Sequence, residues 1–338
     1  LSHHSINWHT GGCFPVAMVY NGIMKNKHLE HPEDSILTLG KEGAIDVIKF
    51  LKSKRNQISV KYDGAPAIVY GTNPENGRFF VGTKSVFNKK KVKINYSHAD
   101  IELNHGHIPN VASILHTCLE CLPTDHGVYQ CDFIGYGGEN TFKPNTITYK
   151  FDKVIRQSVV VATHTQYIGK TIQDLDAVFH YRNNNYCNLD CTNLRHYQVD
   201  THANMDSRLN VKIELLFALA RTLVRFVDFP TLKEGKALKI IVNSYVRQGK
   251  KLIPEQLASD TGYSKNLFHL YNMIIEIKEL LMQSITASED VECLIDGQPY
   301  EHEGYVMTNK YGTYKLIKRQ RFSYANFNMK KTWGVPVE

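Results

Sequence analysis

Residues Lys61 to Gly64 read Lys-Tyr-Asp-Gly and join two segments that have the composition of β-strands. A lysine on a strand just before a tight turn can project its amine into a pocket. The amine attacks phosphorus only when it is neutral, and desolvation and neighbouring positive charges lower the pKa of a lysine and supply that form. The pattern therefore indicates a lysine nucleophile at Lys61 acting on a phosphate. A string this short also occurs by chance.

Four further segments, each on a predicted strand, carry residue types that handle phosphates. They are Val81-Gly-Thr-Lys84, Val128-Tyr-Gln-Cys-Asp132, Glu303-Gly-Tyr-Val306 and Tyr314-Lys315-Leu-Ile-Lys318. Phosphoryl and nucleotidyl transfer depend mainly on positioning and on neutralising charge at the phosphate oxygens. Lysines neutralise that charge directly, and carboxylates bind the hard divalent cation that accompanies a nucleotide. Together the segments predict a nucleotide site.

The order of these segments resembles that of the lysine-dependent nucleotidyltransferases, the superfamily of ATP-dependent DNA ligases, RNA ligases and mRNA capping enzymes. In that superfamily a Lys-x-Asp-Gly nucleophile motif precedes a basic residue on the next hairpin, an acidic residue on a middle strand, a Glu-Gly strand and a lysine-bearing strand. The chain is most similar to ligase-like proteins of large tailed phages. The resemblance covers roughly residues 28–165 and 300–325 and excludes the helical segments between them.

The resemblance implies ATP as substrate, Lys61 as the catalytic residue, a lysyl-AMP intermediate and Mg²⁺ (or Mn²⁺) bound by Asp132 and Glu303. AMP would pass to a 5′-phosphate and be displaced by a 3′-hydroxyl, so that polynucleotide ends are joined, with RNA expected over DNA. The residues expected to contact the nucleotide are Asp63, Gly64, Lys84, Asp132, Glu303, Lys315 and Lys318. Whether Asp132 contacts metal or ribose stays open, as does which of the two C-terminal lysines contacts the α-phosphate.

The chain departs from the superfamily pattern at several positions. Ala65-Pro66-Ala67 stands where DNA ligases and capping enzymes have an arginine, Lys84 replaces another arginine, and Asp132 replaces a glutamate. We expect no C-terminal OB-fold after Lys318, which favours RNA ligases over the other branches. Two alternatives stay open. One is a non-catalytic nucleic-acid-binding or phage structural protein that reuses the fold, and the other is a capping-type guanylyltransferase.

Three other groups of residues have both a functional and a structural interpretation. The lysine run from 84 to 93 could line a nucleic-acid track with Phe87 and Tyr96 as stacking residues, or form a solvated hairpin. His164 could face the nucleotide or be hydrogen-bonded structure. The spacing of Cys187, Cys191, His196 and His202 is loosely zinc-like but matches no firm template.

The elements that must position these residues follow from periodicity and turn residues. Helices are predicted over residues 40–53, 110–122, 207–229, 233–248 and 264–285. Strands are predicted over 58–70 (interrupted by the turn at Asp63-Gly64), 78–83, 127–134, 154–163, 300–309 and 313–318. We therefore predict an α+β nucleotidyltransferase fold with ATP-grasp-like antiparallel sheets. Its two parts, 28–170 and 288–338, would follow an N-terminal extension (1–27) and flank a helical insertion (171–287).

The composition is that of a globular protein, with 42% hydrophobic and 22% charged residues among 338. The net charge of +7 suits a polyanionic partner such as nucleic acid without requiring one. No apolar stretch is long enough to span a membrane, and seven cysteines without a secretion signal suggest reduced thiols. We expect a cytoplasmic protein (in the host, if viral). The sequence gives no oligomeric state and no role for the insertion.

Overall fold

The computed structural model describes residues 29–124, 127–179, 195–206, 210–320 and 322. The predicted N-terminal extension lies outside these ranges. The same holds for Cys187 and Cys191, the two cysteines of the possible zinc site. No helix in the described ranges has both the length and the apolar character needed to cross a membrane.

The helices of the described chain cluster at its start and in its second half. They are α1 (Asp34–Thr38), α2 (Gly40–Leu51), α3 (His98–His105), α4 (Pro109–Cys121), α5 (Val211–Leu223), α6 (Leu232–Arg247), α7 (Pro254–Thr261) and α8 (Lys265–Met282). The helix predicted over 40–53 is α2, which buries Ala44, Val47, Ile48 and Leu51 at helical spacing. The other predicted helices correspond to α4, α5, α6 and α8.

Strands occur on both sides of the helical block. They are β1 (Gln57–Lys61), β2 (Ala67–Thr72), β3 (Phe79–Thr83), β4 (Val128–Tyr136), β5 (Thr141–Phe142), β6 (Thr148–Phe151), β7 (Val159–Ile168), β8 (Asp176–Val178), β9 (His196–Gln198), β10 (His202–Met205), β11 (Ile285–Ala287), β12 (Val291–Ile295), β13 (Gln298–Tyr300), β14 (Gly304–Asn309) and β15 (Gly312–Ile317). A short 3-10 helix follows β3 at residues Lys84–Phe87.

Two antiparallel sheets carry most of the predicted motifs. The five-stranded sheet has the order β11-β10-β1-β14-β15, and the six-stranded sheet has the order β3-β2-β4-β7-β8, with β9 added parallel to β7. A four-stranded sheet, β13-β12-β6-β5, completes the β structure. The predicted α+β class with antiparallel sheets is confirmed.

The helices α5 to α8, called the helical block below, share their hydrophobic core with the N-terminal helices and the five-stranded sheet. Phe217 of α5 and Phe268 of α8 are buried in the same cluster as Ile36, Phe50 and Met307. A second cluster lies between α4 and the six-stranded sheet, and it buries Cys118 and Cys121 as free thiols. The helices therefore support the sheet that carries Lys61.

The sequence misplaces several boundaries. Residues 176–205, assigned to the helical insertion, contain β8, β9 and β10, which extend the two large sheets. These strands are three or four residues long, too short for a clear alternation of apolar and polar residues. The strand predicted over 154–163 begins at Val159 and continues to Ile168.

Candidate active site

Lys61 is the last residue of β1, in the middle of the five-stranded sheet. The register of β1 and β14 pairs it with Gly304, so Glu303, the residue before β14, lies directly beside it. The Lys61 ammonium donates a hydrogen bond to Glu303 Oε2. The Lys61 side chain is 33% exposed, whereas that of Glu303 is 7% exposed. The lysine is therefore accessible to a ligand, and its carboxylate partner is buried.

The turn that follows Lys61 carries the chain from the five-stranded to the six-stranded sheet. Gly64 packs against β4 so closely that a Cβ there would lie 2.6 Å from the Cβ of Asp132 and 2.7 Å from the carbonyl oxygen of Phe133. The amide of Ala65 donates to that same Phe133 oxygen (2.9 Å). Glycine is needed for this approach, which holds the lysine turn against the strand of Asp132.

The Asp63 carboxylate is directed into the protein. It accepts hydrogen bonds from the backbone amide of Thr146 and the side-chain amide of Asn145, both at 2.9 Å, and its own amide donates to the Tyr149 hydroxyl (2.6 Å). Asp63 is buried and does not line the cavity described below. In this structure the residue anchors the turn after Lys61.

A cavity opens between the two large sheets at this turn. Lys61, Val306 and Lys315 line it from the five-stranded sheet, and Asp132 and His164 from the other. Its remaining lining residues are Leu29, Ser59, Val60, Tyr62, Lys84, Gln130, Ala162, Thr165, Tyr167, Ala177, Phe179 and Thr201. Three lysines and a half-buried carboxylate thus converge on one cleft, which could hold a phosphorylated ligand.

The carboxylates of the site control the charge on the lysine. Burial lowers the pKa of Lys61, but the nearby charges of Glu303 and Asp132 outweigh burial, so that the pKa is raised. The expectation that neighbouring cations lower this pKa is therefore wrong for this structure. Burial, which outweighs the Lys61 charge, also raises the pKa of Glu303. Burial and the charge of Lys61 lower the pKa of Lys315.

Asp132 is a half-buried carboxylate with little opposite charge close to it. Burial raises its pKa to about 7, although Lys61 and Lys84 act in the opposite direction. His164 Nε2 lies 3.6 Å from Asp132 Oδ2. Burial and the charge of Lys61 lower the pKa of that histidine to about 3, so it is neutral near pH 7 and offers no counter-charge. Such a carboxylate has capacity for a further cation.

His164 reaches the cavity through an irregularity in the sheet. Gln130 pairs with Thr165 and Cys131 pairs with Thr163, so His164 is an extra residue on β7. A β-bulge of this kind re-aims a side chain and is frequent beside active sites. His164 Nδ1 lies 2.7 Å from Thr165 Oγ1. The interpretation of His164 as a cavity residue is thus the one this geometry favours.

The two C-terminal lysines are separated by the structure. Lys315 lines the cavity from β15, and its backbone amide donates to the carbonyl oxygen of Glu30 (3.1 Å). Lys318 lies just beyond β15, pairs with Glu301 at 2.5 Å and is not among the lining residues. Lys84, an exposed residue, also lines the cavity.

Two further predictions concern the stacking residues and the possible zinc ligands. The Phe87 ring packs on that of Tyr167 (centroids 4.7 Å apart), and Tyr96 packs on Phe80, so both predicted stacking residues are engaged in the fold. His196 and His202 lie on β9 and β10, and the described residues contain no group of three or more His, Cys, Asp or Glu arranged to hold a metal.

Sequence reasoning missed several residues that line the cavity. Gln130 precedes Asp132 by two residues and therefore shares its face of β4, a signal that strand periodicity could have given. Tyr167 donates to Gln130 Oε1 (2.8 Å) and fixes that side chain. Leu29 and Phe179 come from segments without regular structure, where the sequence holds no comparable signal.

A family model described as a family of unknown function (DUF6267) matches residues 26–263 and 254–331. Comparison with curated proteins and with solved structures gave no match.

Proposed function

The chain belongs to the family of unknown function DUF6267, and we propose that it is an ATP-dependent polynucleotide ligase that acts through a lysyl-AMP intermediate. The observation that carries the proposal is the convergence of Lys61, Asp132 and Lys315 on one cavity between two antiparallel sheets, with Glu303 bonded to the lysine. These residues are separated by up to 254 positions in the chain. A shared cleft is what nucleotidyl transfer to a lysine requires.

The charges of the cleft suit a nucleotide. Lys315 and Lys84 would hold the phosphates, because both line the cavity and neither forms a salt bridge with a described residue. Lys315 is well suited to a buried α-phosphate, since burial has already removed much of its hydration. Lys61 would attack the α-phosphorus. The N–P bond forms as the bond to the pyrophosphate oxygen breaks.

The two carboxylates fit a divalent cation. Mg²⁺ is usually bound by one or two protein carboxylates, with phosphates and waters as its other ligands. Glu303 is buried and Asp132 is half-buried beside Lys61, and desolvation raises the pKa of both carboxyls. When bound, the cation would neutralise the carboxylates that raise the pKa of Lys61 and would offset phosphate charge. With the two carboxylates bound to the cation, the proton lost by Lys61 would pass to solvent.

The remaining chemistry follows from the bond balance of ligation. The AMP group leaves Lys61 for a 5′-phosphate oxygen, which restores the amine and creates a new pyrophosphate linkage. A 3′-hydroxyl then attacks the polynucleotide phosphorus, loses its proton and releases AMP. The choices of ATP over GTP and of RNA over DNA rest on the resemblance in the sequence.

One observation favours a second candidate, a non-catalytic nucleic-acid-binding or phage structural protein with a ligase-like fold. The raised pKa of Lys61 keeps its amine protonated, and the ion pair with Glu303 would then be structural. This candidate retains the cationic cleft but forms no covalent intermediate.

Incubation with α-labelled ATP or GTP and Mg²⁺ or Mn²⁺, followed by denaturing electrophoresis, separates the candidates. The ligase predicts a covalent label from ATP that is lost in Lys61→Ala. Lys318→Ala is the matched control, because this lysine lies outside the cavity. A label from GTP alone would favour a capping-type guanylyltransferase. Protein that takes no label from either nucleotide with either metal would favour the non-catalytic candidate.

A further inference from the structure

The segment that follows β3 carries a cluster of unpaired lysines. Lys84, Lys89, Lys90 and Lys91 are all exposed, and in the described part of the chain no carboxylate lies within salt-bridge distance of any of them. Some other exposed lysines, such as Lys49, Lys150 and Lys212, have acidic partners. What distinguishes this segment is that its four lysines fall within eight consecutive positions. The potential of this segment is therefore locally uncompensated.

The base of the segment is held firmly. Thr83 caps the 3-10 helix by accepting from the Ser85 amide (3.3 Å), and the Lys93 amide donates to the Ser85 carbonyl oxygen (3.3 Å). Lys93 Nζ donates to the Asn104 carbonyl oxygen at 2.6 Å. The buried Asn95 side chain donates to the Val81 carbonyl oxygen at 2.9 Å. The exposed lysines thus project from a loop whose two ends are fixed to the sheet.

This loop adjoins the candidate active site. Lys84 lines the cavity, and its charge lowers the pKa of both Asp132 and His164. The ring of Phe87 packs on that of Tyr167, a residue of the cavity wall. The lysines at 89–91 are therefore connected to the cavity wall through Lys84 and Phe87 of the same loop.

We propose that the loop of residues 84–91 binds the phosphate backbone of the polynucleotide whose end enters the cavity. The identity of this partner rests on the proposed function, since a cavity that handles a nucleotide favours a nucleic-acid strand over other polyanions. The backbone presents one negative charge per nucleotide, and lysines bind it with release of counterions. The contact carries no sequence preference.

The test measures binding of a 5′-phosphorylated, fluorescent single-stranded RNA of 20 nucleotides against salt concentration. The variant Lys89→Gln/Lys90→Gln/Lys91→Gln removes three exposed charges, and Lys233→Gln/Lys236→Gln/Lys251→Gln removes three exposed charges from the helical block. Each lost contact lowers the salt slope by roughly 0.7, so the loop variant should lose about 2 in slope. If the wild type and the loop variant bind equally at 1 M salt, this difference in slope makes the variant bind roughly 100-fold more weakly than the wild type at 0.1 M salt. The helical-block variant should bind as the wild type does.

The proposal is overturned if the loop variant keeps the wild-type slope, or if both variants weaken binding equally. It is also overturned if the loop variant loses binding to phosphatidylserine vesicles while its RNA binding is unchanged, because the loop would then be a membrane-binding surface. Labelling of Lys61 by ATP needs no RNA and should survive in the loop variant. Loss of RNA binding in a protein that takes no label would uphold this surface while refuting the ligase.

Discussion

Glu303 and Lys61 lie 242 positions apart in the chain, yet the Lys61 ammonium donates a hydrogen bond to the Glu303 carboxylate. The contact follows from the register of β1 and β14, which pairs Lys61 with Gly304. It sets the protonation state of the amine, because the charges of Glu303 and Asp132 raise its pKa despite burial. An attacking amine would therefore have to be released from this pair.

The two lysines of the last motif should behave differently. Lys315→Ala removes an ammonium from the cavity wall and should lower covalent labelling by ATP by about 100-fold, the size of effect seen when one hydrogen-bond donor to a transition state is lost. Lys318→Ala removes only a partner of Glu301 and should label normally. The initial rate of labelling of each purified variant measures this. Equal losses would place both side chains at the nucleotide.

Asp132 should make the folded protein less stable as the pH rises. Burial raises its pKa to about 7 in the folded state, whereas an unfolded aspartate titrates near 3.9. The stabilising contribution of its proton is present below about pH 4 and is lost as the pH rises through 7. Asp132→Asn cannot ionise, so it should exceed the wild type in unfolding free energy at pH 8, by at most about 4 kcal/mol, and should match it at pH 4.

Urea denaturation at the two pH values measures the difference. A variant that is less stable than the wild type at pH 8 would show that Asp132 has a stabilising partner as an anion. Loss of labelling in the same variant would fit a carboxylate that binds the metal.

Asp63 should prove structural. Asp63→Ala leaves the buried Thr146 amide and the Asn145 side chain without their acceptor, at a cost of about 1–3 kcal/mol in unfolding free energy. Asp63→Asn keeps one acceptor oxygen and should lose less. Chemical denaturation of both variants provides the measurement. Unchanged stability together with lost labelling would instead indicate that Asp63 contacts the nucleotide.

The buried ion cluster behind β15 should stabilise the protein. Lys278 Nζ donates to Glu33 Oε1 (2.8 Å) and Arg319 Nη1 donates to Asp34 Oδ1 (2.8 Å), so the segment before α1 is tied to α8 and to the end of β15. Lys278→Met would leave the buried Glu33 carboxylate with the longer Arg319 contact (Nη1 to Oε1, 3.5 Å) and should cost at most about 3–5 kcal/mol in unfolding free energy.

The double variant Lys278→Met/Glu33→Gln should recover part of this loss, because it also removes the charge of the buried Glu33 carboxylate. Lys150→Met, which breaks the exposed pair with Glu292, serves as the control and should change stability little. Urea denaturation decides. A Lys278→Met variant as stable as this control would mean that the cluster contributes nothing to stability.

The sequence predicted the local elements well where the pattern of apolar residues repeats over a long segment. The apolar spacing in α2 and the turn residues around Lys61 gave the helix and the strand–turn–strand unit, since such patterns are set by neighbouring residues. Strands of three residues, such as β8 and β9, were missed because so few positions cannot display a period. Both depend on pairing with β7, which is the preceding strand for β8 and lies 37 positions earlier for β9 (Val159 with His196).

By itself, the sequence determined the residue types of the candidate site and the strands that carry Lys61, Asp132 and Lys315. Only the tertiary structure decided which of them meet. Strand register brings Glu303 to Lys61, a β-bulge turns His164 toward Asp132, and hydrogen bonds to Thr146 and Asn145 draw Asp63 away from the cavity. Lys315 and Lys318 look equivalent in the chain but lie in different surroundings. The physical reason is that pairing and burial depend on distant partners, and these also reversed the expected shift of the Lys61 pKa.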